Sequence, residues 1–324
     1  MKRYLITLSL ILTCCFAGRA QQEAQYSQYM FNALVINPAY AGYRETLNVS
    51  LLHRDQWAGF QGAPKTQSLI ADGAFTKNKN VGLGVAIVND KAGLLGQRSV
   101  YLNYAYRLPV GENNARLSFG LAAGISQYSI DNSGAVIEDR DDPNFLGGNA
   151  SNLGPDGKFG VHFSNERFYA GVSATNLLSR TVSYQDGTIA KQGRHYFITA
   201  GYLLDLNEDL KLKPSFLVRD DVQGPSSVDV TSFLLIKEMV WVGATYRTGV
   251  NLWKKTYLNT ATINQNSVVG AVEFFVAKKF RLGYAYDYSL SKMGNAASGS
   301  HEISLGVVLN ANKKSAALLT PRYF

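Results

Sequence analysis

The chain repeats a two-residue alternation between large apolar side chains and small or charged ones, and this period constrains the fold more than any other feature. Between 97 and 108, for example, Val100, Leu102 and Tyr104 alternate with Tyr101 and Asn103. Successive side chains of a β-strand point to opposite faces, so the period predicts strands with one apolar face. About fourteen such runs follow one another, near 45–53, 66–76, 81–90, 97–108, 115–130, 157–164, 167–177, 193–206, 210–219, 228–237, 239–248, 267–277, 279–289 and 300–310.

The connections between these runs alternate in length. Every second one, beginning with 76–80, is a short turn, whereas the others, such as 131–156 and 249–266, are mostly longer. Outer-membrane barrels have short periplasmic turns and longer external loops, and an even number of strands leaves both termini in the periplasm. The sequence therefore predicts an all-β protein, a transmembrane antiparallel β-barrel of about 14 strands in outer-membrane lipid. A soluble sheet protein would need another layer to cover the apolar face.

Both ends of the chain differ from this pattern. Lys2 and Arg3 precede an apolar run and a small-residue cleavage site at 18–20, which is typical of a secretory signal peptide. We expect a signal peptide at 1–20, an N-terminal periplasmic or plug-like segment at 21–44, the barrel at 45–310 and a C-terminal tail at 311–324. Both cysteines, Cys14 and Cys15, fall in the predicted signal peptide, so no thiol chemistry is expected.

Motifs of catalysis are missing from the sequence. The four histidines lack metal-ligand spacing, and there is no nucleophile elbow, P-loop or dinucleotide fingerprint. The formal net charge of +8 is dispersed rather than gathered in basic stripes, so no nucleic-acid partner is expected. We expect a non-enzymatic protein with no catalytic, cofactor-binding or metal residue. The loop 131–156 leaves calcium open, because four carboxylates cluster there without EF-hand spacing: Glu138, Asp139, Asp141 and Asp142.

The stretch YSQYMFNALVINPAYAG, residues 26–42, lies before the first strand and is too aromatic for a linker. Tyr26, Tyr29 and Met30 fall at helical spacing, and Pro38 ends that run because it pushes Asn37 into an extended conformation. The pattern predicts a short plug or lid on the inner wall or the periplasmic rim. Candidate interaction or plug residues are Tyr26, Tyr29, Met30, Asn37, Pro38, Trp57 and Phe60, the last two being alternatively headgroup-level aromatics.

The predicted lumen face carries charges, which must pair or be hydrated inside a narrow barrel. They either form an ion-paired filling or line a permeation path or docking surface. The candidates are Arg107, Arg247, Glu273, Arg281, Asp287 and Glu302.

Three blocks of the sequence together resemble the PorP/SprF family of Bacteroidetes outer-membrane proteins. They are the opening QYSQYMFNALVINPAYAGYRETLNVSLLHRDQWAGFQGAPKTQSL, the late RLGYAYDYSL and the closing SHEISLGV. The resemblance implies a component of the type IX secretion system, associated with export or surface attachment of large adhesins and other cargo, and in some members with gliding motility. The positions it shares with this chain are Tyr26, Gln28, Tyr29, Asn37, Pro38, Ala39, Gly42, Arg54, Gln56, Trp57, Gly59, Pro64, Gly283, Tyr284, Tyr286, Asp287, His301 and Glu302.

Two functional alternatives remain at this point. The first is a barrel that binds a secreted cargo protein or the type IX secretion machinery. The second is a small-solute channel of the fatty-acid-transporter or porin kind, which would need an apolar pocket or a wide polar pore inside the barrel.

Overall fold

The computed structural model describes residues 24–75, 79–111, 114–131, 150–178, 181–184, 187–191, 193–221, 224–255, 266–277, 279–291 and 298–309. At 150, 181–184, 187–191 and 254 the description covers the backbone alone.

Antiparallel strands make up most of the chain. Their bounds are β1 Leu47–Asp55, β2 Lys65–Ala74, β3 Val81–Ala92, β4 Leu95–Pro109, β5 Arg116–Ile130, β6 Ala150–Ser164, β7 Phe168–Thr175, β8 Thr181–Tyr184, β9 Gly187–Lys191, β10 His195–Tyr202, β11 Leu204–Asp205, β12 Leu210–Asp221, β13 Ser226–Ile236, β14 Val240–Val250, β15 Ser267–Val276, β16 Phe280–Ser289 and β17 Ser300–Leu309.

The sheet closes on itself as a barrel. Each strand pairs with its sequence neighbours, and the first and last strands join in the register Leu47↔Leu309 to Asp55↔His301. The β8–β9 hairpin pairs with itself outside the wall, while β10 pairs directly with both β7 and β12. Because β11 continues β10 after Leu203, the wall has 14 strands. The predicted 14-stranded antiparallel barrel is therefore confirmed.

The two ends of the barrel differ in their connections. One end, the short-turn end, has brief turns such as 165–167, 206–209 and 237–239, and the other, the long-loop end, has the connections 56–64 and 251–266. One expected loop, 91–96, is instead a two-residue turn at Gly93 and Leu94, because β3 and β4 continue to within two residues of each other. Gly93 has a positive φ of 60°, which a residue without a Cβ adopts at no steric cost.

Strand β6 begins at 150, seven residues before the alternation predicted. The acidic residues 138–142 of the preceding connection, considered for calcium, lie outside the described residues.

Side chains alternate between the outer and inner faces of the barrel as the sequence predicts. Leu102, Leu121 and Leu305 are exposed on the outer face, whereas Tyr101, Ala105 and Ala285 are buried inside the barrel. An exposed apolar outer face is the arrangement that lipid requires of a membrane barrel. In the part of the chain described, no helix has the length and apolarity needed to cross a bilayer.

The helical elements are short: α1 Ala33–Ile36, and the 3₁₀ turns η1 Pro38–Tyr40 and η2 Leu252–Lys254. The first two belong to the stretch before β1, and its residues 26–44 are all buried. The hydrophobic core therefore lies inside the barrel, where Met30, Phe31 and Leu34 pack with wall residues that include Phe233 and Trp241.

Candidate functional site: the occupied lumen

Residues 24–44, here called the lumen segment, run through the barrel from one end to the other. Gln28 lies against Glu302, which is two residues from the long-loop end of β17. Ala41 lies against Gly82, the second residue of β3 at the short-turn end. Of the two predicted positions, the inner wall and the periplasmic rim, the segment lies along the inner wall and extends well beyond the rim where β1 begins.

Six charged side chains form a cluster around the beginning of the lumen segment, here called the lumen charge cluster. Each lies within three residues of the long-loop end of its strand, and three cations balance three anions. The members are Arg54, Arg219, Asp229, Arg247, Asp287 and Glu302.

Short contacts connect the cluster across the lumen. The Arg54 guanidinium donates to the Asp287 carboxylate at 2.9 Å and to the Glu302 carboxylate at 3.2 Å. Arg247 bridges Asp287 and Asp229, at 3.0 Å to each, and Arg219 reaches Asp229 at 3.0 Å. All of these charges except the half-buried Arg219 are buried, so their pairing offsets part of the cost of removing them from water.

Glu302 also holds the backbone of the lumen segment. Its two carboxylate oxygens accept the successive amides of Ser27 and Gln28, at 2.8 and 2.6 Å. The Gln28 side chain donates to the Glu302 carbonyl at 3.1 Å and accepts from the Ser304 hydroxyl at 2.8 Å. Charged acceptors make stronger hydrogen bonds than neutral ones, so this contact fixes the register of the segment against β17.

Further along, wall side chains satisfy backbone carbonyls of the segment. Lys158 donates to the Val35 carbonyl at 2.7 Å, and Ser173 donates to the Ile36 carbonyl at 2.8 Å. Both groups are buried, and a buried carbonyl without a partner would cost free energy. Polar wall residues of β6 and β7 therefore provide the hydrogen-bond donors that the last carbonyls of α1 need.

Asn37 ends α1 in the extended conformation that the following proline predicts, with φ of −138° and ψ of 112°. Its side-chain oxygen accepts the Ala39 amide at 2.9 Å, and its amide nitrogen donates to the carbonyls of Val161 and Val172, both at 3.3 Å. One side chain thus caps η1 and connects the segment to β6 and β7.

The second half of the lumen segment fits against glycines of the wall. A Cβ added at Gly82 would lie 1.8 Å from the Ala41 carbonyl oxygen, and one at Gly120 would lie 2.1 Å from the Ala39 nitrogen. One added at Gly160 would meet the Asn37 side chain at 2.0 Å. These wall positions lack a Cβ because the backbone of the segment occupies that space.

The short-turn half of the lumen holds a second group of charges. Glu45 accepts from Lys79 at 2.9 Å and from Arg107 at 3.2 Å, and it lies 3.4 Å from Arg116. Arg281 donates to the Ser50 hydroxyl at 2.7 Å. Charged side chains are therefore paired at both ends of the lumen, and Glu45 directly follows the lumen segment.

All six lumen charges predicted from sequence are buried inside the barrel. Arg247, Asp287 and Glu302 meet in the lumen charge cluster, whereas Arg107 is at the short-turn end. Arg281 and Glu273 flank a small cavity beside the segment. Sequence reasoning missed the roles of Arg219, Asp229 and Lys158, although their strand parity places them on the inward face.

The seven candidate plug residues divide into two groups. Tyr26, Tyr29, Met30, Asn37 and Pro38 belong to the lumen segment. Trp57 and Phe60 lie in the connection 56–64 at the long-loop end, where Phe60 is 51% exposed. Neighbours hold this connection, since Ala58 donates to the Gly299 carbonyl at 2.7 Å and Gly93 donates to the Gly62 carbonyl at 2.8 Å.

Two small cavities lie beside the segment. One cavity of about 10 Å³ lies against Met30, Leu34 and Asp72, and another of about 10 Å³ lies against Phe31 and Glu273. Each has room for about one water molecule. Among the described residues, no three His, Cys, Asp or Glu side chains are placed to hold a metal ion.

Comparisons with known proteins agree with this architecture. Residues 18–307 match the family model described as type IX secretion system membrane protein PorP/SprF. A search of curated proteins finds no match.

Among solved structures, the CymD monoaromatic hydrocarbon channel superposes with a TM-score of 0.50 at 12% identity, over 90% of this chain and 94% of that chain. The Ralstonia pickettii toluene transporter TbuX superposes with a TM-score of 0.47 at 11% identity, over 86% of this chain and 92% of that chain. The Acinetobacter baumannii outer-membrane protein Omp33 superposes with a TM-score of 0.46 at 9% identity, over 82% of this chain and 98% of that chain. At these identities, the likeness to CymD shows the barrel fold alone.

Proposed function

The chain belongs to the PorP/SprF family of type IX secretion membrane proteins, and from that premise we propose that it supports export or surface attachment of a large secreted protein or adhesin. It does so without catalysis, by binding the cargo or the secretion machinery. The observation that carries the proposal is the lumen segment, since a barrel whose interior is filled by its own chain is suited to binding at its rims.

The alternative, a small-solute channel, has less support. A pathway for solutes needs continuous space, whereas the lumen segment crosses the barrel from the long-loop end to the short-turn end, with its residues 26–44 buried. Structural likeness to a hydrocarbon channel at 12% identity extends to the fold and not to the transported molecule.

We place the short-turn end in the periplasm and the long-loop end outside the cell, following the general asymmetry of outer-membrane barrels. In this orientation β17 ends in the periplasm, as expected for the C-terminus. The periplasmic N-terminus stays a prediction, because residues 1–23 lie outside the described part of the chain. In the proposed orientation, residues 25–28 lie in the outer half of the lumen.

The connection 56–64 is the rim element best suited to partner binding. It presents the exposed Phe60 beside Trp57 on a backbone that is hydrogen-bonded to its neighbours on both sides. Aromatic side chains held in a fixed conformation lose little entropy on binding and often dominate interfaces.

The test compares strains in which the gene is deleted and then restored as wild type or as a Trp57→Ala/Phe60→Ala variant. We expect deletion to abolish surface display of one large protein, with loss of gliding if that protein is a motility adhesin, while uptake of small solutes stays normal. The rim variant should reduce display at unchanged barrel abundance. Phe75→Ala, an equally exposed phenylalanine at the short-turn end, is the matched control. Normal secretion together with impaired solute uptake would overturn the proposal in favour of the channel.

A further inference from the structure

Basic residues on the barrel wall are distributed unevenly between its two faces. On the described wall strands, Lys and Arg at inward positions are spread around the lumen, whereas those at outward positions are three: Lys65 on β2, Lys91 on β3 and Arg98 on β4. These strands are neighbours, and all three residues lie near their long-loop ends. The outward charge is therefore gathered at one place, here called the basic rim patch.

The strand register places the patch immediately above a lipid-facing row. That row crosses five strands through directly paired residues, all exposed: Leu51, Leu69, Ile87, Val100 and Ile125. The next outward row toward the long-loop end is polar throughout: His53, Gln67, Asn89, Arg98 and Gln127. The change from apolar to polar marks the level at which hydrocarbon gives way to headgroups.

Within the basic rim patch, like charges lie side by side. Lys65 and Lys91 are direct cross-strand partners, an arrangement that destabilises a sheet unless an anion is present. Asp55 compensates Lys65 at 3.3 Å, whereas no described carboxylate lies within 4 Å of Lys91 or of Arg98. Arg98 donates its Nε to the neutral Asn89 side chain at 3.2 Å, which orients the guanidinium along the strand surface.

The hairpin that carries Lys91 and Arg98 does not itself cover the patch. Strands β3 and β4 are joined by the two-residue turn at Gly93 and Leu94, so no long loop folds over Lys91 and Arg98 from this hairpin. On the opposite wall, outward positions near the long-loop ends carry Tyr196, Tyr246 and Tyr288 instead.

We propose that the basic rim patch binds the phosphorylated headgroup of an outer-leaflet glycolipid, with the acyl chains lying on the apolar row below. Positive charge, headgroup level and an adjoining lipid-facing surface occur together at this patch, which holds all the outward-facing Lys and Arg of the described wall strands. The proposal rests on the membrane orientation given above but not on the role in secretion. A lipid held there would fix the rotational position of the barrel relative to its lipid neighbours and leave the tyrosine-lined wall for other contacts.

The test uses the purified full-length barrel in detergent, with native mass spectrometry to measure retained lipid. The probes are diphosphoryl lipid A and the same lipid with its phosphates removed. We expect the variant Lys65→Gln/Lys91→Gln/Arg98→Gln to weaken binding of the diphosphoryl form at least about tenfold. The control variant Arg167→Gln/Lys237→Gln/Lys279→Gln removes the same charge at the short-turn end and should bind as the wild type does.

Equal binding of the two lipid forms by the wild type would show recognition of acyl chains alone and overturn the proposal. So would equal loss in the two variants, which would mean that only net charge matters. Inorganic phosphate should not displace the lipid at concentrations that leave the protein folded. Displacement by inorganic phosphate would identify a free-anion site instead.

Discussion

The two ends of the lumen segment are held by different physical means. Ser27 and Gln28 are bound through hydrogen bonds to a charged carboxylate, whereas Ala39 and Ala41 are enclosed by glycines that leave no room for another atom. The first kind of contact depends on charge and can be replaced by water if the chain moves. The second depends on shape and fails when either surface gains a methyl group. The long-loop end of the segment is thus held by charge, and the short-turn end is anchored by close packing.

The largest loss of stability is expected when the hydrogen bonds and ion pairs at the charged end of the segment are removed. Glu302→Gln removes an anion that is fully buried and leaves Arg54 with Asp287 as its remaining partner. Breaking a buried ion pair in this way costs about 3–5 kcal/mol, measurable as a lower urea midpoint for unfolding of the reconstituted barrel. Asp205→Asn is the control, because Asp205 pairs with Lys211 and Arg167 at an exposed site and should cost less than about 1 kcal/mol. Similar costs for the two variants would mean that the lumen charge cluster is hydrated and contributes little.

A somewhat smaller loss of stability is expected from substitutions at the short-turn end of the segment, where it packs against glycines. Gly82→Ala and Gly120→Ala each add a methyl group against the backbone of the segment, and overpacking of this kind costs about 1–3 kcal/mol. The same urea titration measures it. Gly270→Ala on β15 serves as the matched change, since an added Cβ there meets nothing within 4 Å. If all three alanine variants unfold alike, the segment does not occupy this position tightly.

The smallest effect on stability is expected from single cysteine substitutions, which test on which side of the membrane each end of the barrel lies. Gln25 is half-buried at the long-loop end, and Lys279 is exposed at the short-turn end. A cysteine at Gln25 should react with a membrane-impermeant maleimide on intact cells, whereas one at Lys279 should react only after the outer membrane is opened. The sequence has no cysteine after Cys15, so labelling reports the new residue. The reverse pattern would invert the proposed orientation.

The wall could be predicted from sequence because lipid enforces a strict period on it. Leu102 and Tyr104 must face outward, and their neighbours Tyr101 and Asn103 then face the lumen. The early start of β6 was missed because residues 151–157, SNLGPDG, contain one large apolar side chain and no alternation. That part of the strand is specified by pairing with β5 rather than by its own pattern.

The interior was harder to predict, because its contacts join residues far apart in the chain. Ser27 and Glu302 are 275 residues apart, and nothing near either one indicates the other. Helical spacing at Tyr26 to Met30 predicts a packed segment, but the depth of that segment is set by where wall glycines stand. In the sequence these glycines cannot be told apart from other small lumen-facing residues, and only the structure shows that the segment packs against them.

The position of Glu302 joins the closure of the wall to the filling of the lumen. This residue, which holds the beginning of the segment, lies on the last strand, and that strand completes the wall by pairing with the first. The segment itself continues into β1. The seam between the first and last strands is therefore also the place where the lumen segment is attached at both of its ends.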